Sequence, residues 1–240
     1  MKLTSITFTG IDGKTDLGAL WELQQQYPIA EFGVLVAKNW RENGNRYFNP
    51  SYLYALERRS GPGGLNLSAH FCGSIARAAV RGDFEPFRDW ARSFPFIFNR
   101  CQLNIATSKE NPDSFELCED AFLFNEIILQ QRSVEDCDLY LKSNTNEHVT
   151  MLLDASGGEG IDTSLVACAG KKIGYAGGIN VDNVAEKLTF LMENEMVGDF
   201  WIDMESGVRD ADDWLDLNKV EQVLKVCDPI IKEHERKIQL

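Results

Sequence analysis

The chain has 240 residues, with 24 basic and 37 acidic side chains, a formal charge of −13, 44% hydrophobic residues and 25% charged ones. This composition excludes a collagenous, coiled-coil or disordered polymer, and the acidic balance lacks the basic footprint of a nucleic-acid binder. No apolar run reaches the roughly 18–20 residues of a membrane helix, and the N-terminal stretch MKLTSITFTG has no long apolar segment or cleavage site, so no signal peptide is expected. A cytoplasmic protein with neither nucleic acid nor membrane as partner is expected.

Eight apolar runs of strand length follow one another, each ending in a polar or glycine cluster. Ser5–Thr9 is followed by a helical pattern over Asp16–Gln26, with Leu17, Leu20, Trp21 and Leu23 on one side. Ala30–Ala37 precedes a helix over Pro50–Arg59. Leu65–Phe71 precedes helices over Ser74–Val80 and Phe84–Ser93. Gln102–Ile105, Glu126–Leu129 and Val149–Leu153 are the next three runs. Lys172–Ala176 leads into Val181–Asn194, where Val184, Leu188 and Leu191 fall at helical spacing. Phe200–Ile202 leads into Asn218–Cys227, and the charged segment Lys232–Leu240 ends that helix or trails from it.

Eight repetitions give about 30 residues per unit, the size of a βα unit. Eight such units close a (β/α)8 barrel, and no linker interrupts them, so residues 1–240 are expected to form one barrel domain. The nearly continuous apolar character of several runs suits parallel strands buried on both faces.

Six cysteines at 72, 101, 118, 137, 168 and 227 include no CxxC pair, and there are only three histidines. Reduced thiols are expected, with no metal site and no cofactor. Trp21 and Trp201 read as packing residues, while Trp40 could stack on a ligand or cap its loop.

In such barrels the chemistry sits at the C-terminal ends of the strands, and phosphate is held by the loops after strands seven and eight. The seventh run ends in Tyr175 to Gly178 and the eighth in Asp203 to Val208. Glycine permits close approach of backbone N–H groups to an anion, although a simple turn explains each motif alone. The sixth run ends LLDASGGEG at 152–160, which places Asp154 at the mouth with Gly157 and Gly158 in a tight loop. A turn or helix-capping aspartate accounts for Asp154 equally well.

Together these motifs resemble the phosphoribosylanthranilate isomerase family. The family pattern is a Leu-Leu-Asp strand end, a Gly-Gly-x-Gly loop, a Gly-Gly-Leu-Asn-Pro-x-Asn-Val segment and an Asp-Val-Ser-Ser-Gly-Val-Glu segment. This chain carries LLDASGGEG at 152–160, AGGINVDNV at 176–184 and DMESGV at 203–208. TFTGIDGKTD at 7–16 and FGVLVAKNWRENGNRYFNP at 32–50 match the first two strands more loosely, and residues 60–148 match only in rhythm.

The resemblance implies an isomerase of aldose-ketose type that opens a phosphorylated aminoribose ring, as in tryptophan biosynthesis. An acid protonates the ring oxygen, and a base removes the proton on the second sugar carbon. It implies Asp154 as the acid, and Gly177, Gly178, Ser206 and Gly207 as phosphate contacts. Arg46 stands at the position that faces the anthranilate carboxylate, unless it is a solvated loop arginine.

The chain departs from the pattern where the base should be. The family's cysteine position is Thr9. A thiol ionises near pH 8.5, whereas a threonine hydroxyl is no general base unless another group takes its proton. Asp12, on the same loop, and His70, near the end of the third run, are the candidate replacements; His70 could equally be a packed residue. Cys72 reads better as a small buried packer than as a reactive thiol. Glu205 replaces a serine beside the phosphate loop, and Arg209 stands where the family has glutamate and could restore positive charge. The fourth run has Gln102-Leu-Asn104 in place of Gln-Leu-His, which suggests a changed ligand; Asn104 and Gln131 are possible polar contacts.

A divergent isomerase acting on a small phosphorylated sugar or carbonyl metabolite is the leading expectation, as a monomer or homodimer. The competing expectation is a barrel that binds a phospholigand and has lost its base. A metal-dependent lyase lacks a His/carboxylate cluster.

Overall fold

A computed structural model of the chain describes residues 2–38, 44–47, 49, 52–58, 64–93, 97–104, 124–137, 148–157, 160–168, 172–194 and 198–238. Its strands are β1 (Leu3–Thr9), β2 (Ala30–Val36), β3 (Leu67–Phe71), β4 (Arg100–Leu103), β5 (Glu126–Gln131), β6 (Val149–Asp154), β7 (Ile173–Ala176) and β8 (Phe200–Met204). All are parallel, and β8 pairs with β1 to close the barrel. The expected (β/α)8 architecture is therefore the observed one, and each of the eight runs overlaps a strand.

The helices are α1 (Leu17–Gln26), α2 (Leu53–Glu57), α3 (Gly73–Val80), α4 (Glu85–Ser93), α5 (Val184–Glu193) and α6 (Leu217–Ile238). Asp16 caps α1, its Oδ1 accepting from the N–H of Gly18 at 2.7 Å and of Ala19 at 3.2 Å. α5 starts later than the periodicity suggests, because the Asn180 side chain accepts from the N–H of Asp182 and Asn183 and holds them in a turn. α6 runs well past Cys227 and carries Pro229 inside it. Exposed pairs Lys225–Glu221, Lys232–Asp228 and Lys237–Glu233, all spaced i,i+4, support its outer face.

Alternation along each strand decides what faces the helices and what faces the barrel interior. In β1, Ile6 and Phe8 join the apolar layer beneath the helices. Ser5, Thr7 and Thr9 have the opposite parity and point inward.

The floor of the barrel is ionic. Arg100 grips both oxygens of Glu31 at 2.7–2.9 Å and also reaches Ser5 and Thr7. Glu126 accepts from Thr150 and from Lys172, each at 2.7 Å. The Trp201 ring lies over the Arg100 guanidinium at 4.6 Å, and Trp201, Ile128 and Leu152 form an apolar plug above this floor. Trp201 is thus fully buried, as expected, whereas Trp21 is 40% exposed. Trp40 lies outside the described residues. The plug and floor leave the mouth of the barrel as a polar compartment above them.

Candidate active site

The mouth cavity is lined from seven strands by Thr9, His70, Gln102, Gln130, Asp154, Ala176 and Asp203, and by Asn104 just past β4. Thr9 is the last residue of β1. Its hydroxyl donates to Asp203 Oδ1 at 2.7 Å, and His70 Nδ1 lies 3.5 Å from the same hydroxyl. Gly33 on β2 makes this approach possible, since a Cβ there would come within 2.7 Å of Thr9 Oγ1 and 2.9 Å of His70 Nε2.

Asp203 was not foreseen as a chemical group, although it opens the DMESGV motif. Its position could have been found by parity: it lies two residues from Trp201, on the inward face of β8. Burial pushes its carboxyl up to about 7, although the Thr9 hydrogen bond works in the opposite direction. The negative charge of Glu205 adds to the rise. An aspartate in this range changes protonation near neutral pH.

His70 is held at about 3 by burial first and by the charge of Arg100 second, so its imidazole is neutral at physiological pH. Its Nε2 shares a 3.0 Å hydrogen bond with Ser68 Oγ, and its Nδ1 is 4.0 Å from Asp203 Oδ2. Across the mouth, Asp154 Oδ2 accepts from Gln130 Nε2 at 2.7 Å, and its Oδ1 accepts from the Ser156 hydroxyl at 2.6 Å and N–H at 3.1 Å. Gln130 and Ser156 are further site residues that the sequence did not single out. Gln131, the glutamine named instead, has the outward parity and donates to Met151 Sδ at 3.6 Å.

Asp12 and Arg209 do not line the cavity. Asp12 Oδ2 accepts from Arg209 Nη2 at 2.9 Å and from the Leu215 N–H at 2.6 Å, and Arg209 Nη1 donates to Gly10 O at 2.9 Å. Arg46 donates from Nε to both Asp213 oxygens at 2.9 Å, and from Nη1 to Glu205 Oε1 at 2.7 Å and Ser206 Oγ at 3.1 Å. Burial raises the Glu205 carboxyl above its usual range, while Arg46 opposes that shift. Cys72 donates to His70 O and accepts from Asn104 Nδ2, and burial pushes its thiol up to about 12. It is therefore not a thiolate nucleophile at neutral pH.

Gly177, Gly178, Ser206 and Gly207 line the cavity on its β7–β8 side. Both glycine segments are held close to neighbouring backbone. A Cβ on Gly178, whose φ is +63°, would strike Asp162, and one on Gly207 would strike the Ile179 carbonyl. No acceptor among the described residues takes the N–H of Gly178, Ser206 or Gly207. Gly157 lies outside the lining, packed against the Arg132 guanidinium, with its N–H on Asp154 O at 3.0 Å. Gly158 lies outside the described residues. Among the described residues no group of three His, Cys, Asp or Glu could hold a metal, and no helix is long and apolar enough to cross a membrane.

The family model for N-(5'phosphoribosyl)anthranilate (PRA) isomerase matches residues 109–226, just under half of the chain. The chain resembles the phosphoribosylanthranilate isomerase family. Its similarity to solved members is distant and covers nearly the whole barrel. The phosphoribosyl anthranilate isomerase of Thermus thermophilus is 19% identical over 94% of this chain and 99% of its own, with a TM-score of 0.59. TrpF from Jonesia denitrificans is 17% identical over 93% and 96%, with a TM-score of 0.58. A phosphoribosyl anthranilate isomerase in complex with reduced 1-(o-carboxyphenylamino)-1-deoxyribulose 5-phosphate is 16% identical over 95% and 100%, also at 0.58. At these identities the structures carry the fold, and the family model carries the likeness of the C-terminal half. No curated protein sequence matches the chain.

Proposed function

We propose that this chain is a divergent relative of the phosphoribosylanthranilate isomerases that isomerises a small phosphorylated sugar by acid/base catalysis. In this reading Asp203 replaces the missing cysteine as the base. The observation that carries it is the 2.7 Å hydrogen bond from Thr9, at the cysteine position, to a buried Asp203 whose carboxyl is raised to about 7. A base with a pKa near the working pH combines a large ionised fraction with sufficient basicity.

Asp203 removes the proton from the second sugar carbon, and Thr9 orients the carboxylate for it. Asp154, fixed by Gln130 and Ser156, gives a proton to the ring oxygen as the ring opens. The phosphate rests on the N–H groups of Gly178, Ser206 and Gly207, which supply partial positive charge without a cationic side chain. That arrangement suits an acidic half of the chain, where residues 121–240 carry 11 basic and 23 acidic side chains. Asp12, Arg209 and His70 then serve structure and not proton transfer, the first two as a buried ion pair and the third as a neutral packing partner.

The test uses purified protein in D2O with phosphoribosylanthranilate and with its phenyl counterpart, N-phenylribosylamine 5-phosphate. Loss of the C2 proton signal in NMR, together with conversion to the aminoketose, is expected for at least one of them. A phospholigand-binding barrel without a base is the second reading, favoured by Thr9 alone. It predicts a raised melting temperature with these compounds but a retained C2 proton on long incubation.

A further inference from the structure

The phosphosugar reading leaves open what lies at the other end of the ligand, and the following inference rests on that reading. We infer that the group remote from the phosphate is a hydrogen-bond donor, neutral or cationic, and that it is not a carboxylate.

Three independent features of the mouth point there. First, Arg46 is already saturated with negative charge. It holds Glu205 at 2.7 Å and both oxygens of Asp213 at 2.9 Å, so an incoming carboxylate would have to displace a carboxylate of the protein. Second, the described side chains that line the cavity include Asp154, Asp203 and Glu205 but no lysine or arginine. The one histidine among them, His70, is neutral at physiological pH. Away from the backbone N–H groups that take the phosphate, a carboxylate would therefore face charges of its own sign.

The third feature is an acceptor without a donor. Gln102 is 3% exposed, and its Oε1 is buried with no hydrogen-bond partner. Its Nε2 is fixed on the opposite side by Asn104 Oδ1 at 2.8 Å and Asp203 Oδ2 at 3.5 Å, so the amide cannot turn to present a donor without losing both. A buried acceptor left unpaired is costly, and an N–H or O–H of the ligand would satisfy it. Gln102 thus offers a lone pair to the ligand, which selects an amine, an amide or a hydroxylated group.

The experiment compares three reduced 1-amino-1-deoxyribulose 5-phosphates by titration calorimetry. They carry o-carboxyphenyl, phenyl and o-(aminomethyl)phenyl on nitrogen and share the phosphate and the sugar chain. The wild-type protein is expected to bind the aminomethyl compound tightest and the carboxyphenyl compound weakest, with at least about a tenfold gap between them. In Glu205→Gln, where Arg46 loses one of its two carboxylates, the gap should narrow. Tightest binding of the carboxyphenyl compound by the wild type would overturn this inference and leave the phosphosugar reading standing. Binding of none of the three would overturn that reading, and the inference with it.

Discussion

Arg209 Nη2 and Asp12 Oδ2 lie 2.9 Å apart, and the two side chains are 2% and 0% exposed. The pair ties the loop after β1 to the loop after β8, where Lys219 also donates to the Arg209 carbonyl. Removing one partner from a buried ion pair typically costs about 3–5 kcal/mol, because the other charge is left uncompensated. Asp12→Asn is therefore expected to lower the melting temperature by roughly 10 °C for a chain of this size. Its C2-proton exchange rate, measured well below that melting point, should stay within a few-fold of wild type. A collapse of exchange with an unchanged melting temperature would make Asp12 a chemical group instead.

Thr9 lowers the Asp203 pKa by donating to it. Thr9→Val removes that donor, so the carboxyl should rise further and the alkaline-going limb of the pH–rate profile should move to higher pH. Thr9→Ser keeps the donor and should leave the limb in place. A profile that is the same in all three proteins would contradict the positioning role of the hydroxyl.

Gly207 has no room for a Cβ beside the Ile179 carbonyl. Gly207→Ala should force the β8 loop outward and cost about 1–3 kcal/mol. It should also abolish the rise in melting temperature that ribose 5-phosphate is expected to produce in the wild type. Gly13→Ala is the control, because a Cβ at Gly13 meets nothing within 4 Å.

Burial of Asp203 makes stability depend on pH. Its folded pKa of about 7 is above the ordinary aspartate value of 3.8, so the folded state binds the proton more tightly. The associated stability is fully present below about pH 4 and is lost as pH rises through 7. Asp203→Asn removes the titration, and at pH 8 the variant should melt higher than wild type. Three pKa steps set an upper bound on the order of 4 kcal/mol. Melting curves at pH 4 and pH 8 check the sign: the advantage of the variant should shrink at pH 4.

The barrel was legible because burial imposes apolar runs at a regular spacing, and those runs survive in a single sequence. Strand ends shifted by only a few residues, as in Leu65–Phe71 against the observed Leu67–Phe71. The site was legible where a motif is contiguous, as for Asp154 and the glycine segments. It was hidden where partners meet across the chain. Arg46 and Glu205 are 159 positions apart, and Asp12 and Arg209 are 197 apart, so nothing local showed that these charges consume each other. Asp203 was obscured differently: it sat inside a segment read for its glycine and serine. Inward parity separates Gln130 from Gln131 in the same way, and only the strand register assigns it.

The central claim is that Asp203 is the base in place of the family's cysteine. The most direct measurement is the rate of C2-proton exchange against pH for the wild type and Asp203→Asn, with the fold of each verified. The wild-type rate should rise with pH through about 7, since the base must be ionised. The variant should lose about 10²–10⁴-fold at the plateau. Exchange by Asp203→Asn at the wild-type rate, with the same pH dependence, would contradict it.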